Sequence, residues 1–180
     1  MVESVDGQTY AAWLECVPWG SPLSLYVHIP FCARLCWFCG CQTQVANRYG
    51  QIRTYAGWLR REMALVVRRL GPGRPVTHLH FGGGTPTILT PADFSSLCAD
   101  IRRSFHLVEG AEIAVEIDPR TLAEPMAAAL AEAGVNRVSL GVQDFDAGVQ
   151  AAINRNQTFA QTETAVRALR AAGIDKVSFD

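Results

Sequence analysis

The chain has 180 residues, about half of them apolar, enough for one domain that buries a core without a disulfide or metal to hold it together. Its 16 Lys and Arg against 17 Asp and Glu leave a net charge of -1, which argues against a general nucleic-acid or membrane-surface binder. The opening MVESVDGQTY has neither a basic region nor an apolar run, and no window approaches the roughly 20 apolar residues of a membrane span, so a cytoplasmic location is expected.

Residues 1–22 are read as an N-terminal extension that packs on the domain formed by 23–180. From LSLYVHI (23–29) onward, strand-length apolar runs alternate with helical patterns. A cysteine-rich loop follows this first run. Ile52, Tyr55, Leu59, Met63, Val66 and Leu70 then recur at three- and four-residue steps, the apolar stripe of a helix of about 20 residues. Arg53, Arg60, Arg61, Arg68 and Arg69 fall along the same helix and read as a solvated outer face. VTHLHF (76–81) is the second strand and runs into GGGTPT (82–87). Thr90 followed by Pro91 opens a second helix, a capping residue before a favourable first position. IAVEI (113–117) is the third strand, and LAEPMAAALAEAG a helix that stops at Gly134. RVSLGV (137–142) is the fourth strand, and AQTETAVRALRAAG a helix that stops at Gly173. KVSF (176–179) is the fifth strand.

Strands alternating with helices of this length imply parallel strands and right-handed crossovers. An open doubly wound sheet and a barrel both satisfy the pattern. The polar motifs all follow strand ends: the cysteines the first, GGGTPT the second, Glu116 and Asp118 the third, Gln143 and Asp144 the fourth, Asp180 the fifth. They therefore share the carboxyl edge, where α/β folds place their chemistry. A full eight-stranded barrel needs about 250 residues, so a fragment or a partial (β/α) barrel lacking its closing strands is expected.

Cys32, Cys36 and Cys39 form C-x3-C-x2-C within FCARLCWFCGC, and Cys41 follows. In a cytoplasmic chain such a cluster reads as a metal or catalytic site before a disulfide framework. A structural zinc site usually draws on two separated pairs of ligands, and no second pair exists. A thioredoxin-like C-x-x-C motif needs neither Cys32 nor Cys41. An iron-sulfur cluster on three thiolates leaves one iron open, and this spacing suits it. Phe31, Trp37 and Phe38 would give such a cluster apolar cover, though ordinary core packing explains Trp37 about equally well. Cys16 and Cys98, among apolar neighbours, are expected to be small buried residues.

YVHIPFC leading into C-x3-C-x2-C resembles the cluster loop of radical S-adenosylmethionine (SAM) enzymes. CWFCGCQT, HLHFGGGTPTIL, VEIDPR, GVQDF and NRNQ are together similar, in order, to one branch of them, the oxygen-independent coproporphyrinogen III dehydrogenases (oxidases). The resemblance implies a partial TIM-like radical SAM barrel, a [4Fe-4S] cluster on Cys32, Cys36 and Cys39, and a non-ligating Cys41. It also implies S-adenosyl-L-methionine, two per turnover, contacted by Tyr26, Phe38 (through its backbone), Gly83, Gly84, Thr85, Glu116, Gln143, Arg155 and Asp180.

The chemistry implied is oxidative decarboxylation. A reduced cluster cleaves the cofactor to a 5′-deoxyadenosyl radical, which takes hydrogen from the β-carbon of a propionate on coproporphyrinogen III. Loss of carbon dioxide and of one further electron leaves a vinyl group, and a second round on another propionate gives protoporphyrinogen IX. An unidentified electron donor and a monomeric complete protein are implied as well. Relatives of this kind have several hundred residues, so these 180 alone are expected to be inactive.

Rival readings are a haem carrier of the same superfamily, against which Cys41, DPR (118–120) and NRNQ (154–157) count, a non-catalytic zinc or redox module, and a relic without function. His78 and His80 alternate on one strand and face one side. With no carboxylate near them in sequence they are expected to be satisfied strand histidines, and His28 is assigned no role.

Overall fold

The structure is a computed structural model and describes residues 5–180; Met1 to Ser4 of the expected N-terminal extension lie outside the described residues. Helix α1 (Gly7–Glu15) starts on Asp6, whose carboxylate accepts the Thr9 N–H at 2.8 Å. It buries no residue of its own, but Leu14 and the following Val17 pack against the core. Cys16 ends this helix in the open, because only its neighbours turn inward, and the expectation that it is buried is corrected; Cys98 is buried as expected.

Strand β1 (Leu23–Ile29) leads into the two-residue strands β2 (Phe31–Cys32) and β3 (Gln44–Val45), which pair in parallel and bracket the cysteine loop. Helix α2 (Tyr49–Leu70) and strand β4 (Pro75–Gly83) come next. Helix α3 (Pro91–Ser104) is capped by Thr90, whose hydroxyl accepts the Asp93 N–H at 3.2 Å.

Strand β5 (His106–Ile117) starts seven residues before the expected Ile113, because parallel pairing with β4 already begins at Pro75 opposite His106. Helix α4 (Glu124–Glu132) and strand β6 (Arg137–Leu140) follow. β6 stops two residues short of Val142, where the chain turns through Gln143, a non-glycine residue at φ 67°. Short α5 (Ala147–Ala152), α6 (Phe159–Ala171) and β7 (Val177–Phe179) complete the chain. Gly134 (φ 82°) and Gly173 (φ 88°) take the left-handed conformation that stops α4 and α6.

The main sheet has the order β1-β4-β5-β6-β7, every pair parallel. Neighbours in space thus follow the chain in one direction. That is the order of a (β/α) barrel, whereas a doubly wound sheet reverses it at a switch point. One face carries Leu79, Phe81, Ile113, Val115, Val138 and Leu140, buried under Phe94, Leu97, Ile101, Met126, Leu130 and Leu169 of the helices. The opposite face is polar: His80, Glu116 and Ser139 are only half-buried there. A hydrophobic layer fixes the strands from outside while the inner face and the carboxyl edge stay free for chemistry. Among the described residues no helix is long and apolar enough to cross a membrane.

Candidate active site

The loop between β2 and β3 has almost no regular structure, so its shape comes from what holds it. At its root Phe31 is buried, and Gln44 N–H donates to the Pro30 carbonyl at 2.9 Å. At its tip, residues 153–155 act as a clasp. Trp37 N–H donates to the Ile153 carbonyl at 2.8 Å, Asn154 Nδ2 donates to the Leu35 carbonyl at 2.9 Å, and an Arg155 guanidinium NH2 group lies 3.9 Å from Cys36 Sγ. Buried Gln157 holds the clasp in turn, through its N–H to Gln150 Oε1 at 2.9 Å. Trp37 and Phe38 are 75% and 64% exposed, which corrects the core-packing alternative: they are loop aromatics, and only Phe31 is core.

All six thiols are free. Cys32 and Cys36 are half-buried, while Cys39 and Cys41 are exposed. Burial pushes the Cys32 thiol up against the pull of the Thr85 hydroxyl, 3.7 Å from its sulfur. Cys41 is pushed up to about 11, chiefly by its hydrogen bond with Cys39. Among the described residues no three His, Cys, Asp or Glu side chains close round a single ion. Thiolates on separate irons of a cluster stand wider apart than the ligands of one ion.

A cavity of about 320 Å3 opens beside this loop at the carboxyl edge. Cys32, Cys36, Cys39, Phe38, Gly83, Gly84, Thr85, Glu116, Gln143, Arg155 and Asp180 all line it. Of the residues expected to hold the cluster or the cofactor, only Tyr26 lies off its wall. The glycines are required by close approach. A Cβ on Gly84 would lie 2.5 Å from the Phe31 carbonyl oxygen, and one on Gly83 would meet the His28 ring at 2.6 Å.

Glu116 accepts the Gly83 N–H on Oε2 at 3.2 Å, and its Oε1 is 3.0 Å from His80 Nε2. His80 is therefore a satisfied strand histidine, as expected, and its partner is a carboxylate brought by the neighbouring strand. The Tyr26 ring stacks on His80 at 5.6 Å, and its hydroxyl is 3.2 Å from His28 Nδ1. Asp180 accepts from the Ser139 hydroxyl at 2.7 Å, and its carbonyl accepts the Gln143 N–H at 2.7 Å, so the left-handed turn is tied to the end of β7.

Sequence reasoning placed Asp118 on the carboxyl edge without giving it a role and missed Arg120, and both line the cavity. Arg120 grips Asp118 with Nε (2.9 Å to Oδ1) and a terminal nitrogen (2.6 Å to Oδ2). Burial pushes the Asp118 carboxyl up, but the Arg120 hydrogen bonds and the charges of Arg155 and Arg120 outweigh it, and its pKa lies below the usual 3.8. The DPR triplet was legible; its convergence with Arg155 was not.

A parallel barrel-ordered sheet with a three-cysteine loop on its carboxyl edge defines a class, and comparison with known families agrees: residues 26–180 match the radical SAM superfamily, to which the chain belongs. Members of this superfamily use a [4Fe-4S] cluster and S-adenosylmethionine. Within it, the chain is similar to the oxygen-independent coproporphyrinogen III oxidase of Bradyrhizobium diazoefficiens, 52% identical over 98% of this chain and 39% of that protein. It is 44% identical to that of Paracoccus denitrificans, over 98% of this chain and 39% of that protein. The solved coproporphyrinogen III oxidase from Escherichia coli superposes with a TM-score of 0.89 at 37% identity, covering 98% of this chain and 40% of that one. The chain thus spans about two fifths of the length of these relatives.

Proposed function

We propose that this chain is the cluster- and cofactor-binding part of a radical SAM enzyme that converts two propionates of coproporphyrinogen III to vinyl groups without oxygen, giving protoporphyrinogen IX. The observation that carries the reading is the meeting, in one cavity, of the three cysteines with the glycine turn and with Glu116, Gln143, Arg155 and Asp180. The residues present fit the two groups. Three soft thiol donors and glycine backbone without a Cβ line the same cavity, and a buried Arg155 Nε has no protein partner.

When bound, the reduced cluster and S-adenosylmethionine supply a carbon-centred radical able to take hydrogen from an unactivated carbon. The chain's own residues have simpler tasks. Cys32, Cys36 and Cys39 hold the irons, and Cys41 stays out of the ligand set, as the family resemblance implies. Gly83, Gly84 and Thr85 admit the amino-acid end of the cofactor to close backbone contact. Glu116, held by His80 and Gly83, offers a fixed carboxylate to its polar groups, and Gln143, Arg155 and Asp180 close round it. Phe38 offers its backbone and Tyr26 its ring at the edge.

Residues 23–180 act as one unit in this reading, with residues 5–22 packed outside it. The complete protein works as a monomer in the cytoplasm with a separate electron donor, and these 180 residues alone do not turn over substrate. Anaerobic iron-sulfur reconstitution followed by electron paramagnetic resonance (EPR) tests the site. A reduced four-iron signal that changes on adding S-adenosylmethionine is expected, and a chain that assembles no cluster would sink the reading. Product analysis with coproporphyrinogen III, on this sequence joined to the remainder of a relative's length, tests the substrate.

A further inference from the structure

We propose that Asp118 is a positioning residue that holds the Arg155 guanidinium against the Cys36 sulfur, with Arg120 as its brace; this rests on the reading that Cys36 ligates an iron-sulfur cluster. Three charged side chains meet here with little water: those of Arg155, Asp118 and Arg120 are 8%, 11% and 14% exposed. Asp118 Oδ1 lies 3.5 Å from one Arg155 terminal nitrogen, which also donates to the Gly141 carbonyl. The other terminal nitrogen lies 3.9 Å from Cys36 Sγ. Arg155 is thus pinned on one side and presents its free edge to the thiol.

Arg120 cannot take over that position. It sits two residues from Asp118, and both its fork and its backbone N–H (3.0 Å to Oδ1) are engaged with that carboxylate. Two guanidiniums against one carboxylate leave one excess positive charge, and the Arg155 edge directs it at the sulfur. Without the Asp118 charge the two cations would face each other in a part-buried space. Arg155 would then keep only its bond to the Gly141 carbonyl, and the repulsion would turn its other terminal nitrogen away from the sulfur.

A hydrogen bond and a positive charge at a ligand sulfur favour the more electron-rich state of a cluster, so the reduction potential is the quantity on which this arrangement acts. A purely structural Asp118 that only closes the turn after β5 would affect stability and leave the potential unmoved by its replacement.

The test is a double-mutant cycle on the reconstituted chain, using Asp118→Asn, Arg155→Gln and the pair. The midpoint potential and the EPR g-values of the reduced cluster are the readouts, and circular dichroism confirms folding. Asp118→Asn is expected to shift both readouts in the wild-type background and to leave them unmoved when Arg155 is already Gln. An equal shift in both backgrounds means a direct effect of the Asp118 charge and overturns the proposal, as does no shift at all. If the wild-type chain assembles no cluster, the functional reading itself falls, and the proposal with it. Should Asp118→Asn not fold, Arg120→Lys, which keeps the charge without the fork, takes its place in the same cycle.

Discussion

Gly84→Ala tests how tightly the glycine turn is pressed on the cysteine loop. The added Cβ would lie 2.5, 2.8 and 2.9 Å from the oxygen, carbon and nitrogen of Phe31, all backbone atoms that no rotamer change can move. If the turn stays where it is, overpacking of this kind costs about 1–3 kcal/mol. If it retreats, the Gly84 N–H bond to Ile29 and the Thr85 N–H bond to Phe31, both 2.8 Å, are lost. At about 0.5–1.5 kcal/mol each, that also comes to about 1–3 kcal/mol. Either route therefore lowers the folding equilibrium constant roughly 5- to 150-fold. Urea denaturation followed by circular dichroism reads this as a lower midpoint with an unchanged slope. Gly40→Ala is the control, since a Cβ there has nothing within 4 Å. A Gly84→Ala midpoint equal to that of wild type, or a control equally destabilised, would refute the reasoning.

After anaerobic reconstitution, Cys39→Ala is expected to lose its iron and sulfide whereas Cys41→Ala keeps both; equal loss in the two would put Cys41 in the ligand set. The lowered Asp118 pKa makes the cluster-free chain acid-sensitive in a stated direction. Its contribution is whole well above the ordinary 3.8 and disappears as pH falls through the still lower native value, because the unfolded chain takes up the proton first. Asp118→Asn therefore flattens the acid limb of a urea-midpoint series against pH, and an unaltered limb contradicts the assignment. Leu130, with 0% exposure, loses its side chain to a cavity on Leu130→Ala, at about 2–5 kcal/mol, measurable in the same urea assay.

Signals that are local in the chain were read well. LSLYVHI occupies the 23–29 expected of it, Thr90 with Pro91 starts α3, and Gly134 and Gly173 stop their helices through left-handed backbone. Helix α1 escaped because it buries no residue of its own, so periodicity carries no signal there; the Asp6 cap was the available clue. Strands β2 and β3 are too short for any pattern. In the site, residues next to a motif were found and residues brought by another strand were not. His80 gains Glu116 only through the parallel register that sets β4 beside β5, and Asp118 gains Arg155 only through the loop after α5. Exposure of Trp37 and Phe38 was illegible for the same reason, since a loop's apolar residues do not declare which side faces the fold.

The clasp on the cysteine loop imposes an order of events on biosynthesis. Leu35 is held by Asn154, and Cys36 is approached by Arg155, each across 119 residues of chain. At a synthesis rate of about 5–20 residues per second, the thiols precede their clasp by roughly 6–24 seconds. During that interval the loop has its root partner Phe31 but nothing at its tip. The cysteines then lie in a loop without its clasp, open to solvent. Iron delivered after the fourth strand-helix unit has formed meets a shaped loop, whereas iron delivered earlier meets only loose thiols.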